Sequence, residues 1–163
     1  MDRHVSMALV IALLVVLLGL MAFGWWRLRR RQSSLAAPPA VPETTGEEFA
    51  RVRGTYLSTT AAGEPLQRIA VHGLGFRGDA EITVSEAGIV VGVPGERDLF
   101  IGAGALRGLR RATWTIDRTV EPDGLHVVEW TLGDTPVDSF FRIIQPLEFD
   151  AATARLTAQK GTS

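Results

Sequence analysis

The chain has 163 residues, with 17 Lys plus Arg against 18 Asp plus Glu, a formal net charge of −1 and no cysteine. Disulfides, thiolate metal sites and cysteine nucleophiles are thereby excluded. The part from Phe49 to Ser163, with 12 basic and 14 acidic residues, lacks the basic excess of a nucleic-acid binder.

The first element is apolar. Met7 to Trp26, MALVIALLVVLLGLMAFGWW, is 20 residues without a charge. As a helix rising about 1.5 Å per residue it reaches roughly 30 Å, the thickness of a bilayer's hydrocarbon core. Backbone groups in lipid must be bonded within the segment, so helix is the expected form in spite of Gly19 and Gly24. Those glycines are five apart and miss the four-residue spacing of a helix-pairing face. Trp25 and Trp26 suit the headgroup level, and Arg27, Arg29, Arg30 and Arg31 follow, against a lone Arg3 at the leading end. Under the positive-inside rule this asymmetry places the N-terminus outside and the rest in the cytoplasm, a single-pass protein of the cell (plasma) membrane. A cleaved signal would carry its charges before a shorter apolar core, the reverse of this order.

Residues 1–31 thus read as anchor and basic flank, and residues 32–48, QSSLAAPPAVPETTGEE, with three prolines and no apolar period, as a disordered linker. As a flexible coil those 17 residues would span about 20–25 Å. The remaining residues, 49–163, leave room for one domain.

In that domain short β-branched runs separated by glycine turns predict an antiparallel meander of about seven strands. The candidates are residues 54–60, 67–71, 81–85, 89–93, 98–101, 111–117, 125–132 and 137–144. Glu86-Ala87-Gly88, Pro122-Asp123-Gly124 and Gly133-Asp134 read as hairpin turns. In the run Leu125 to Leu132 the alternation places Val128, Trp130 and Leu132 toward the core and Val127, Glu129 and Thr131 outward. Pro146 then opens an amphipathic helix, with Phe149, Ala152 and Leu156 on one face. The expected fold is a transmembrane helix plus a β-rich α+β domain, a bent antiparallel sheet capped by a C-terminal helix in the layout of a pleckstrin-homology-like (PH-like) domain.

Few motifs carry chemistry. Gly73-Leu74-Gly75-Phe76-Arg77-Gly78 matches the dinucleotide pattern literally, but a strand-like segment follows where a helix is required, so it reads as a loop. Gly102 to Gly108 reads as a loop for a similar reason. Arg107, Arg110 and Arg111 lie together beside it and could contact an anion or lipid headgroup. His4, His72 and His126 lack metal-ligand spacing, and Ser58, Ser85 and Ser139 lack a nucleophile elbow. The reading is a protein that is not an enzyme, without cofactor or metal. Its partners are the lipid bilayer and a further protein, with no nucleic acid.

The segments GIVVGVPGERDLFIGAGALRGLRRATW and VEPDGLHVVEWTLGDTPVDSFFR, together with the single span, arginine block and proline-rich stretch, resemble a family of actinobacterial membrane proteins with a PH-like domain. Members tend to be encoded among pyrimidine-biosynthesis genes and are often labelled transporter or export protein. The resemblance implies no catalytic residues. A single span with no intramembrane charge lines no pathway, so a transport role would be accessory. The functional expectation is a membrane-tethered adaptor or binding module at the inner membrane face. The alternatives are anionic-lipid recognition by the domain and an accessory subunit of a transporter or envelope complex.

Overall fold

The computed structural model of the protein describes residues 3–32, 35–112, 114–115, 118–119 and 124–161. It divides into two compact units, 1–34 and 35–163. The first contains α1 (Arg3–Gln32). Its side chains from Leu9 to Gly24 are exposed around the whole helix, Leu20 at 63% and Met21 at 70%, so no stripe is reserved for a folded core. Among the described residues no helix is long and apolar enough to cross a membrane.

The second unit contains β1 (Glu48–Ala61), β2 (Glu64–Arg68), β3 (Gly78–Ser85), β4 (Gly88–Gly92), β5 (Leu99–Gly102), β6 (Leu106–Ala112), β7 (Trp114–Thr115), β8 (Arg118–Thr119), β9 (Leu125–Leu132), β10 (Thr135–Ile143) and α2 (Pro146–Lys160). An antiparallel sheet runs β5-β4-β3-β1-β10-β9-β6, with β2 also paired to β1 and β7-β8 forming a separate two-stranded pair. This is the expected sheet with a C-terminal helix.

The long β1 joins the two halves of the sheet, bonding β3 along Glu48–Tyr56 and β10 along Gly54–Ala61. A register shift between Tyr56 and Ser58 bends the strand, as an extra residue in one strand does. The edge strands β5 and β6 meet at one corner, where Ala103 N–H donates to Ala87 O at 2.8 Å and Thr131 N–H to Ala105 O at 3.0 Å. Gly88 permits that approach. Its φ is +142°, and a Cβ there would collide with the carbonyl oxygen of Ile101.

The main core lies between the inner face of the sheet and α2. Val52, Ile82, Val84, Val128, Trp130 and Phe141 come from the strands, and Phe149, Ala152 and Leu156 from the helix, all buried. Each large side chain removed from water contributes about 1.5–3 kcal/mol. Pro146 stands at the start of α2 as expected. Gln145 at its N-cap makes no side-chain cap; its Oε1 instead accepts from Arg53 N–H at 3.0 Å.

Three expectations are corrected. Val127, assigned outward, is fully buried with Leu57, Leu125 and Phe140 in a second cluster. The strand expected at residues 111–117 begins earlier, as β6, and Leu106 to Arg110 pair with β9 instead of looping. Three arginines and Gly108 conceal the apolar period there. The strand expected at 67–71 starts at Glu64, because the Ala62-Gly63 turn, with Gly63 at φ +74°, returns the chain directly onto β1. The second compact unit runs from Leu35. Leu35 to Glu47 forms no helix or strand, yet Leu35 packs on the main core and Ala87 N–H donates to Thr45 O at 3.0 Å. Residues 35–47 thus form a strap held to the domain at Leu35 and Thr45. Pro122 and Asp123 of one expected turn lie outside the described residues.

Candidate functional site

The loop between β2 and β3 is shaped by two consecutive residues with positive φ, His72 at 56° and Gly73 at 78°. Glycine adopts this conformation freely; histidine does so at some cost, and such residues persist where the surroundings hold them. The His72 ring is held by the strap, with Nε2 at 3.0 Å from Leu35 O. A carbonyl only accepts, so Nε2 carries the proton. Leu74 is then buried at 1% exposure, and its carbonyl accepts the Tyr56 hydroxyl at 2.8 Å. Two residues on, Phe76 is left 55% exposed.

Between this loop, the β4–β5 turn and the strap lies a hollow of about 260 Å³. Buried Tyr56, Leu74, Val91 and Leu99 reach it from the core, Ala37 and Pro38 supply a wall from the strap, and His72, Glu96, Arg97 and Asp98 mark its polar rim. The Tyr56 oxygen also lies 2.7 Å from Thr59 Oγ1, which is 2.6 Å from Ser139 Oγ. Burial pushes the Tyr56 phenol well above its ordinary pKa, so it stays a neutral hydrogen-bond donor. The hollow contains one imidazole and no nucleophile paired with a base. Its geometry serves binding, with an apolar floor and a few polar groups that would orient a ligand. Among the described residues no group of His, Asp and Glu side chains is arranged to hold a metal ion.

The residues singled out in the sequence lie elsewhere. Arg107 is exposed at the register shift of β6. Arg110 and Arg111 are neighbours in sequence but fall on opposite faces of the strand. Arg110 bonds Glu129 at 2.7 Å and Asp138 at 2.8 Å, while Arg111 bonds Asp150 at 2.6 Å. Arg110 and Arg111 border a separate hollow of about 280 Å³ with Gly63, Pro65, Asp138 and Phe140, Arg107 does not reach it, and none of the three lines the hollow beside Phe76. Trp26 and Arg27 are exposed on α1, and Trp26 lies against Phe23 with ring centroids 6.3 Å apart. The side chains of Trp25, Arg29, Arg30 and Arg31 lie outside the described residues. The GLGFRG motif is a loop feeding β3, as expected, with no helix after it.

Comparison with known families places this geometry. The family model described as bacterial PH domain-like matches residues 35–157. The chain belongs to the bacterial PH domain-like family. The match begins with the strap, in accord with the packing of Leu35, and ends within α2. No curated protein matches the chain. PH-like domains are generally non-catalytic binding modules. Sequence reasoning missed Tyr56, His72, Phe76 and Arg97 as members of the site. One signal was available at Phe76: a large ring in a glycine loop beside Arg77, with no period to bury it.

Proposed function

We propose that the protein is a membrane-tethered binding module that works without catalysis, holding its PH-like domain at the inner face of the cell membrane. The hollow between the strap, the His72–Phe76 loop and the β4–β5 turn is its ligand site. The observation that carries this reading is the hollow itself, about 260 Å³ opening beside the half-exposed ring of Phe76. The tether rests on the sequence from Met7 to Trp26, 20 uncharged residues, and on the exposure of apolar side chains all round α1. Such a surface is unfavourable in water and suited to lipid.

Membrane fractions carrying the full chain test the tether. The protein should resist alkaline carbonate extraction, and protease added to sealed inside-out vesicles should remove the C-terminal domain. Release by carbonate, or protection of the domain in inside-out vesicles, defeats the reading.

A further inference from the structure

A second, more open hollow of about 290 Å³ adjoins the first, bordered by Arg77, Val93, Pro94 and Glu96. The two share Phe76, Val93 and Glu96, so the exposed Phe76 ring stands at their common boundary. Alternate side chains of an extended peptide project to the same side, so a chain laid across the shared Phe76 boundary would present side chains to both hollows.

The rim charges point the same way. Arg77 and Arg97 are offset by Glu96, Asp98 and Asp79, and neither arginine makes an ion pair among the described residues. A rim with both signs interleaved does not concentrate the positive potential that a phosphate group requires. It suits a neutral chain whose backbone offers donors and acceptors in alternation. The strap already demonstrates that chemistry at this place: His72 Nε2 donates to the Leu35 carbonyl at 3.0 Å, and Ala37 and Pro38 lie along the first hollow.

We propose that the paired hollows around Phe76 form a docking groove for an uncharged, extended segment of another protein, seating apolar side chains at alternate positions on either side of the Phe76 ring. The inference rests on the reading of the first hollow as a ligand site. It names the ligand class: small apolar and proline side chains, without phosphate.

The test uses the full chain in nanodiscs of neutral lipid and a fluorescent, end-capped peptide with the sequence of residues 35–42, Leu-Ala-Ala-Pro-Pro-Ala-Val-Pro. Anisotropy should show saturable binding that changes less than twofold between 50 and 300 mM salt, as expected for an uncharged ligand. Phe76→Ser should weaken it at least tenfold, whereas Leu66→Ser, at a 77% exposed site on β2, should leave it unchanged. Both substitutions are at exposed positions, and unaltered thermal melting verifies that the variants are folded. Indole, followed by NMR on the same samples, serves as a small uncharged probe of the first hollow. Indole binding that Tyr56→Phe or Phe76→Ser perturbs, without peptide binding, overturns the peptide inference and leaves the ligand-site reading standing. Absence of both overturns both. Peptide binding that persists in Phe76→Ser, or that salt abolishes, overturns the groove. So does preferential capture of anionic vesicles through this surface.

Discussion

The indole N–H of Trp130 donates to Ser139 Oγ at 2.9 Å, with Trp130 at 1% exposure and Ser139 fully buried. That contact is one end of a buried chain of hydrogen bonds, whose direction is set at the other end, where the Tyr56 hydroxyl spends its one proton on Leu74 O. An indole nitrogen only donates and a carbonyl only accepts. The chain therefore runs from Trp130 to Ser139, Thr59 and Tyr56 and ends on Leu74 O. Every hydroxyl accepts one bond and donates one, linking the central strands to the loop that shapes the hollow beside Phe76. Ser139→Ala should strand the indole N–H without an acceptor, at a cost of about 2 kcal/mol. Urea unfolding should show a lowered midpoint with unchanged slope. A loss below about 0.5 kcal/mol would mean that the relay is not coupled to stability in this way.

His126 leads to a pH prediction. It is 4% exposed, with Nε2 3.1 Å from Asp150 Oδ1, its ring edge-on to Phe149, and Nδ1 buried without a partner. Burial, and then the Arg111 guanidinium, depress its pKa below the ordinary value of 6.5, with Asp150 only partly opposing them. Neutral imidazole with the proton on Nε2 fits this site. A second proton would leave a buried donor at Nδ1 without an acceptor. Because the folded value lies below the unfolded one, the unfolded chain takes up the proton first as pH falls. The contribution is present above about pH 6.5 and lost as pH drops through the folded value. Thermal melts should show stability falling through that window, and His126→Gln should flatten the fall. An unchanged slope in the variant would remove His126 as the cause.

The arginine pairs separate by burial. Asp138 is 4% exposed and opposes Glu129 across β10 and β9, while Arg110 bonds both carboxylates. Arg155 bonds Glu47 at 2.9 Å, with both side chains half exposed. Removing Arg110 leaves a buried carboxylate and its acidic neighbour unbalanced, so Arg110→Ala should cost about 1–3 kcal/mol. Arg155→Ala should change the ion-pair contribution by about 0–1 kcal/mol, because exposed pairs are screened. Chemical denaturation of both variants decides the ranking. Equal costs would show that the Asp138 carboxylate is satisfied without Arg110.

Legibility in the sequence followed one rule: regular patterns could be read, and contacts made by irregular backbone could not. The inward set Val128, Trp130 and Leu132 and the helix face Phe149, Ala152 and Leu156 were legible because burial on one side imposes a period. Val127 defied alternation because β9 carries a second apolar cluster on its other face, which a period of two cannot announce. β6 was hidden because edge strands tolerate arginine, so its arginines resembled a cationic loop. The hollow beside Phe76 depends on a strap without secondary structure and on a histidine with positive φ. Neither has a periodic signature. The neighbouring pair Arg110 and Arg111 looked like a cluster in one dimension, and the pleat sends the two to opposite faces.

The proposed anchor gives the last prediction, which concerns orientation. If Arg27, Arg29, Arg30 and Arg31 act by retaining their flank in the cytoplasm, their charge bias must be transferable. Replacing all four by Ala and adding four lysines ahead of Met7 should invert the protein, since the first span and its flanking charges dominate the orientation of a single-pass chain. A reporter enzyme active only outside the cytoplasm, fused after Ser163, should be silent in the native chain and active in the inverted one. Substituting Arg at Leu14 alone should shift insertion by about 2.5–3.5 kcal/mol at the helix centre, on the scale measured for single spans. That should release part of the protein into the soluble fraction without inverting the remainder. A reporter active in the native chain would place the domain outside the cell. The Phe76 groove would then face partners in that compartment, and the arginine block would have failed to set the topology.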